Sequence, residues 1–299
     1  MTDSTEPSSA MPRAARRRKG RTTAPARGLV QLPWGQPQYL DTPIEPLDAE
    51  GIDKIHNAAM HILEEIGIDF LHDDAREILA RAGCDVKKDS VTVRMDRALV
   101  MEQVAKAPKR IVMTPRNPDR ALVFGETYAA FGLVSSPPNV SDLDHGRRVG
   151  NRTDYQNLLK LAQSFECIHF TGGYPVEPVD LHPSIRHLDC LFDLLTLTDK
   201  LVHAYSLGVE RVEDAMAMVR IAAGLDQETF EQAPRMFTNI NSSSPLKHDW
   251  PMLDGAMRLA RHNQLVIITP FTLAGAMAPI TLAGAIAQQT AECLAAVTL

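Results

Sequence analysis

The sequence predicts an α/β protein of the TIM-barrel type, with the first four strand-helix units of a barrel behind an α+β cap segment. Three observations predict it. Four short apolar runs in the second half start roughly thirty residues apart, the spacing of one unit in an eight-unit barrel. A helix-like stretch follows each run with no hairpin signal, which implies parallel strands and crossover helices. Each run ends in small or polar residues, where such a barrel places its active site. A doubly wound nucleotide-binding sheet alternates similarly, but no Gly-x-Gly-x-x-Gly follows a strand and no P-loop is present.

Residues 1–45 are rich in Pro, Ser, Thr, Ala and Arg with little hydrophobic periodicity, which predicts a disordered basic tail. Its Arg16-Arg17-Arg18-Lys19 cluster reads as a solvated arm or as a contact for an anionic partner. Residues 46–150 form the cap. Asp48 is a plausible N-cap, Ile52, Ile55, Ala59, Ile62, Leu63 and Ile66 follow at helical spacing, and Gly67 stops the helix. A second helix covers 74–82 and ends at Gly83; a strand covers 91–93; a third helix covers 95–107 and stops at Pro108. Strands at 111–114 and 121–124 flank a turn through Asn117-Pro118-Asp119, and further short strands fall within 128–134. Residues 151–299 form the half-barrel. A helix at 152–165 leads in, the strands are 168–173, 201–205, 236–241 and 265–270, and helices cover 184–197, 209–224, 252–261 and 281 onward. The last helix is still apolar at Leu299, so the reading expects a truncated chain.

A hydrophobic fraction of 44% supports a sizeable core, and a formal charge of −6 argues against nucleic acid as the main partner. The four cysteines are widely spaced without a C-x-x-C, so neither a zinc knuckle nor a redox pair is signalled; they fit a reducing compartment, and the chain is expected in the cytoplasm. No signal peptide follows the basic cluster. Residues 264–291 lack any Asp, Glu, Lys or Arg, but Pro270, Pro279, Gln288 and Gln289 interrupt them, so they read as a buried strand, a loop and a buried helix and not as a membrane span.

The candidate site residues stand at the strand ends. Gly172 and Gly173 allow a close backbone approach, to a ligand or within a tight loop, and Tyr174 and Glu177 follow. His203 and Tyr205 share one face of the second strand, as a polar aromatic floor or as ordinary core. Asn239 and Asn241 share a face of the third, and with Ser242, Ser243 and Ser244 make the densest polar cluster of this half. Amides and hydroxyls of this kind orient a small polar ligand without titrating. His248 and Asp249 come next, where either caps the following helix. Phe271 follows the fourth strand, and the small residues from Gly275 to Thr281 suggest a backbone packed against something bulky or against its own helix. Asp189 and Asp193 read as a solvated helix face. No H-E-x-x-H, no G-x-S-x-G and no metal-ligand spacing occurs, so no metal site is expected.

The run Gly275-Ala276-Met277-Ala278-Pro279-Ile280-Thr281-Leu282-Ala283-Gly284-Ala285, with Glu292 on the helix behind it, resembles a block of the trimethylamine methyltransferase family. Asn239-Ile240-Asn241-Ser242-Ser243-Ser244-Pro245-Leu246 is similar to that family's third-strand segment. Leu63-Glu64-Glu65-Ile66-Gly67-Ile68 and Arg147-Arg148 before Thr153-Asp154 fit as well. The resemblance implies an eight-unit barrel that moves a methyl group from a methylated amine to the cobalt of a corrinoid (cobalamin) carried by a separate protein. It also implies that members with pyrrolysine act on trimethylamine, that members without it act on quaternary amines such as glycine betaine, and that the pyrrolysine position lies beyond Leu299. On this reading Tyr174, Glu177, His203, Tyr205, Asn239, Asn241, Ser242 and Phe271 bind the substrate, with the aromatic rings as an ammonium cage, and Ser244, Gly275, Ala276 and Pro279 meet the corrin. The expected partners are the corrinoid protein and a small methylated amine, in a homo-oligomer without nucleic acid or membrane. The competing expectations are another TIM-barrel enzyme of lyase or aldolase type, which would want a strand-end lysine or a metal cluster, and a non-catalytic quaternary-amine binding protein.

Overall fold

A computed structural model describes residues 30–299, and Leu32–Leu299 forms one compact unit. The expected disordered tail falls largely on residues 1–29, outside the described residues. Ordered contact begins well before Leu47, however. The Gln36 side chain pairs both ways with Val123, at 2.6 and 2.8 Å. Trp34 lies under the Arg120 guanidinium at 4.3 Å and edge-on to His169 at 5.1 Å. An indole that meets a cation on its face and a ring at its edge holds this segment down, whatever the polarity around it.

The helix α1 (Ala49–His61) starts at Asp48, whose carboxylate accepts the Gly51 N–H, and runs through a π turn into Gly67. Gly67 has φ +89°, and a Cβ there would lie 2.7 Å from Thr92, so glycine is required. The strand β1 (Ile68–Phe70), α2 (Asp73–Arg81), β2 (Asp85–Val86), β3 (Thr92–Arg94) and α3 (Arg97–Lys106, capped by Asp96) follow. Two antiparallel hairpins come next, β4 (Arg110–Met113) with β5 (Leu122–Gly125), and β6 (Asn139–Asp142) with β7 (Gly146–Val149). The second half holds α4 (Arg152–Ser164), α5 (Arg186–Leu197), β8 (Val202–His203), α6 (Val209–Ala223), α7 (Gln227–Glu231), β9 (Met236–Ile240), β10 (Lys247–His248), α8 (Trp250–Arg261), β11 (Leu265–Ile268) and α9 (Leu282–Thr298).

The strands β8, β9 and β11 form a parallel sheet in the order β11-β9-β8, with His203 opposite Phe237 and Ile267 opposite Asn239. Phe170 continues it through a parallel bridge to Leu201. The four apolar runs therefore lie side by side in chain order and point one way. The described strands form no closed barrel.

Strand pairing and core packing cross the boundary expected at residue 150. β10 adds to the edge of β1, giving a sheet in the order β10-β1-β3-β2. Ala291 and Ala295 of α9 share one core with Ala59, Met60 and Leu63 of the first helix and Val100 of α3. Asp189 and Asp193 also depart from expectation. Asp193 is buried and takes the Arg152 guanidinium at 2.8 Å, while Asp189 meets the same group at 3.0 Å, because α4 packs on that face of α5. Residues 264–291 do form a strand, a loop and a helix, and no described helix is long and apolar enough to cross a membrane.

Candidate active site

Alternate residues of a strand face one side of its sheet. That rule selects Phe170 and Gly172, then His203 and Tyr205, then Phe237, Asn239 and Asn241, then Ile267 and Thr269. All of them line one cleft of about 430 Å³ at the C-terminal ends of the parallel strands. Its floor is aromatic: Phe170 meets Phe237 edge to face at 5.2 Å, His203 meets Phe237 at 5.0 Å, and Tyr205 meets His203 at 5.6 Å and Tyr174 at 4.7 Å. Its polar rim includes the Thr269 hydroxyl, which donates to the Asn241 amide oxygen at 2.7 Å.

His203 is the most constrained polar group of the cleft. It is buried, and neither ring nitrogen closes a hydrogen bond. Burial pushes its pKa down to about 4 against the opposing pull of the Asn239 side chain, so the ring is neutral at pH 7. Tyr205 is fixed by its hydroxyl, which accepts the Tyr174 N–H at 3.2 Å and bonds Ser135 at 3.2 Å and Ser136. This clasp explains Gly173: a Cβ there would lie 2.4 Å from the Ser135 hydroxyl and 2.7 Å from the Tyr205 hydroxyl, at φ +124°. A Cβ on Gly172 would lie 2.6 Å from the Leu133 carbonyl. The two glycines thus admit the protein's own chain. Burial also raises the Tyr174 phenol far above its ordinary pKa, so it stays protonated.

Beside the cleft, sharing Tyr205 and Leu207, is a recess of about 350 Å³ lined by Tyr174, Glu177, Arg186, His187 and Arg211. Glu177 faces it, but its carboxylate is paired with Arg186 at 2.5 Å, so it brings no free negative charge. Ser242 and Ser244 are not in the cleft. Both donate to Glu292, Ser244 at 2.6 Å, and this wholly buried carboxylate also takes the Leu246 N–H at 2.8 Å and the Gln288 amide at 2.9 Å. A buried carboxylate needs such donors, and it draws both serines away. Phe271 is mostly exposed and lines neither space. Gly275, Ala276 and Pro279 lie exposed on the loop between β11 and α9; the crowded glycine of that region is Gly284, against Pro279 at 2.8 Å.

The sequence reading therefore finds His203, Tyr205, Asn239 and Asn241 together, with Tyr174 and Glu177 next door. It misses Ser135 and Ser136, which arrive from the cap, and His187 and Arg211, which sit on helices. Arg211 did carry a signal, since it occupies the first turn of the helix after a strand end. No group of three described His, Cys, Asp or Glu residues could hold a metal ion.

A family model described as trimethylamine methyltransferase (MTTB) matches residues 13–299. A glycine betaine methyltransferase of Desulfitobacterium hafniense (strain Y51) is 34% identical over 253 residues, which is 85% of this chain and 52% of that protein. The trimethylamine methyltransferase MttB of Desulfitobacterium hafniense (strain DSM 10664 / DCB-2) is 26% identical over 203 residues, 66% of this chain and 40% of that protein. The chain spans about half the length of the curated relatives it matches, or less.

Proposed function

The chain belongs to the trimethylamine methyltransferase family, and on that premise we propose that it serves the transfer of a methyl group from a tertiary or quaternary amine to the cobalt of a corrinoid protein. The observation that carries the reading is the cleft itself, where parallel strand ends bring aromatic faces and neutral polar groups together without a free acid or base. When a methyl group leaves an ammonium nitrogen, the C–N bond breaks, the nitrogen keeps the electron pair, and a neutral amine departs. No proton need move. The protein's task is to hold the amine, orient it and exclude water. Tyr174 and Tyr205 offer ring faces to the ammonium, while Asn239, Asn241 and His203 fix what surrounds it.

The acceptor corrinoid, carried by the partner, supplies the nucleophile and counts as a second substrate. Ser244 does not suit a corrin contact, because its hydroxyl is taken by Glu292. Gly275, Ala276 and Pro279 remain open on the loop that leaves β11, and we keep them as the rim that a docking partner meets. In the same reading the parallel strands are the first half of an eight-unit barrel, the working protein is a homo-oligomer, and its four unpaired cysteines suit the cytoplasm. The aldolase alternative loses support: Lys200 precedes β8, at the opposite end of the strand from the cleft. Its ammonium is buried, with burial lowering its pKa to about 8, and it donates to the Phe165 and Ala162 carbonyls.

The test is methyl transfer to cob(I)alamin, followed by its absorption spectrum, with a panel of trimethylamine, glycine betaine and choline. Turnover of at least one amine is expected; a flat spectrum with every amine, in the presence of the corrinoid partner as well, rejects the assignment. Tyr205→Ala should weaken binding of the same amine about tenfold by calorimetry. Unchanged binding would remove Tyr205 from the cage.

A further inference from the structure

The recess beside the cleft contains a cation with no counter-ion among the described residues. Arg211, in the first turn of α6, lines it together with Tyr174, Tyr205 and His187. Its neighbour Arg186 is neutralised by Glu177. Arg211 makes no ion pair or hydrogen bond among the described residues, although its charge reaches the Tyr174 hydroxyl, where it opposes the upward push of burial. Two further polar groups lie alongside. His203 is more than nine-tenths buried beside the Asn239 side chain, with neither ring nitrogen in a well-formed hydrogen bond, and it lines a narrower space that shares Tyr174, Tyr205, His187 and Arg211 with the recess. His187 binds Asp214 through Nε2 at 2.9 Å, and its buried Nδ1 has no partner.

These groups fit one kind of ligand. A bare alkylammonium against the tyrosine rings would be repelled by the guanidinium that lines the same recess. A ligand that carries an anion a few bonds from its ammonium turns that repulsion into attraction. A planar guanidinium suits a carboxylate in particular, since it can donate two parallel N–H groups to the two oxygens. The neutral ring of His203, in the narrower space that adjoins the recess, has one N–H to donate.

We propose that Arg211 is the specificity residue of this site, taking the carboxylate of a betaine-type zwitterion whose ammonium rests on Tyr174 and Tyr205. The proposal rests on the amine-binding reading above and narrows it to trimethylammonium carboxylates.

Calorimetry on the full chain with glycine betaine and with choline tests it, because the two share a trimethylammonium head and only one carries a carboxylate. The wild type should prefer glycine betaine by about tenfold or more. Arg211→Gln should abolish that preference through a loss of glycine betaine affinity, with choline binding unchanged or tighter, and the retained choline binding shows that the fold and the cage survive. Arg211→Lys should recover part of the preference, and it decides the matter should the glutamine variant fail to fold. Equal affinities in the wild type, or a preference that survives Arg211→Gln, would overturn the role of Arg211 and leave methyl transfer from some other amine standing. A wild type that binds neither ligand overturns this proposal, while the cob(I)alamin panel with trimethylamine still judges the broader reading.

Discussion

His203 shows what a single buried imidazole contributes. Its folded pKa of about 4 lies below the ordinary 6.5, so the unfolded chain binds a proton between those values and the folded chain does not. Stability must therefore fall as the pH drops from about 6.5 towards 4, and the loss between pH 7 and 5 should be about 2 kcal/mol. His203→Phe keeps a ring against Phe237 and removes the proton site. Urea unfolding at both pH values should show the variant losing less stability on acidification by that amount; an equal acid loss would mean that the ring is not held neutral. The same residue marks how far the sequence could be read. Alternation along a strand was enough to put His203 beside Tyr205 and Asn239 beside Asn241, because a sheet allows nothing else. It fails at Ser242 and Ser244, where the strand has ended and the decisive partner is Glu292, about fifty residues away. No local pattern could show that those hydroxyls were already engaged.

At the scale of elements, α9 ties the two halves of the chain together. Ala287, Ala291 and Ala295 are buried at a spacing of four, and Ala291 and Ala295 sit in the core built by α1 and α3. Alanine there permits close approach of the helices, and a longer side chain has nowhere to go. Ala291→Leu should cost about 1–3 kcal/mol of unfolding free energy, read from urea titration. Ile286→Ala, on a more exposed face of the same helix, should stay within about 0.5 kcal/mol. Similar losses from both would show that the alanine seam is not tight. The sequence placed α9 correctly as a buried helix but behind a barrel strand, because a stretch apolar on all sides does not say which neighbour it meets. Capped elements were legible in part: Asp48 and Asp249 each accept first-turn N–H groups as their positions suggest, whereas Asp96, read as lying inside the third helix, is its cap. The β6–β7 hairpin was not, since Asn139, Ser141 and Asp142 lack the apolar alternation of a half-buried strand. Nor was β10, two residues long, whose strand character comes wholly from β1.

At the scale of the whole molecule, the parallel sheet has one edge that no described strand covers. Among the described strands β11 is paired with β9 alone, and all four of its residues are half-buried. Close by in the chain stand apolar side chains in water: Phe271 is 59% exposed, Ile280 84% and Leu282 76%. A strand edge with free backbone donors and acceptors, flanked by apolar side chains, is a template for another chain. In the eight-unit reading a following strand takes this edge; for residues 1–299 by themselves the occupant is a second copy, which brings the same edge and the same apolar loop. Light scattering should show the full chain passing from monomer to dimer as concentration rises. Ile280→Lys combined with Leu282→Lys puts two like charges beside the edge, and should shift that equilibrium towards monomer without lowering the melting temperature, because neither side chain is in the core. A wild type that stays monomeric at every concentration, or a dimer indifferent to the two lysines, would show that the edge is shielded by some other means and that association, where it occurs, uses another surface.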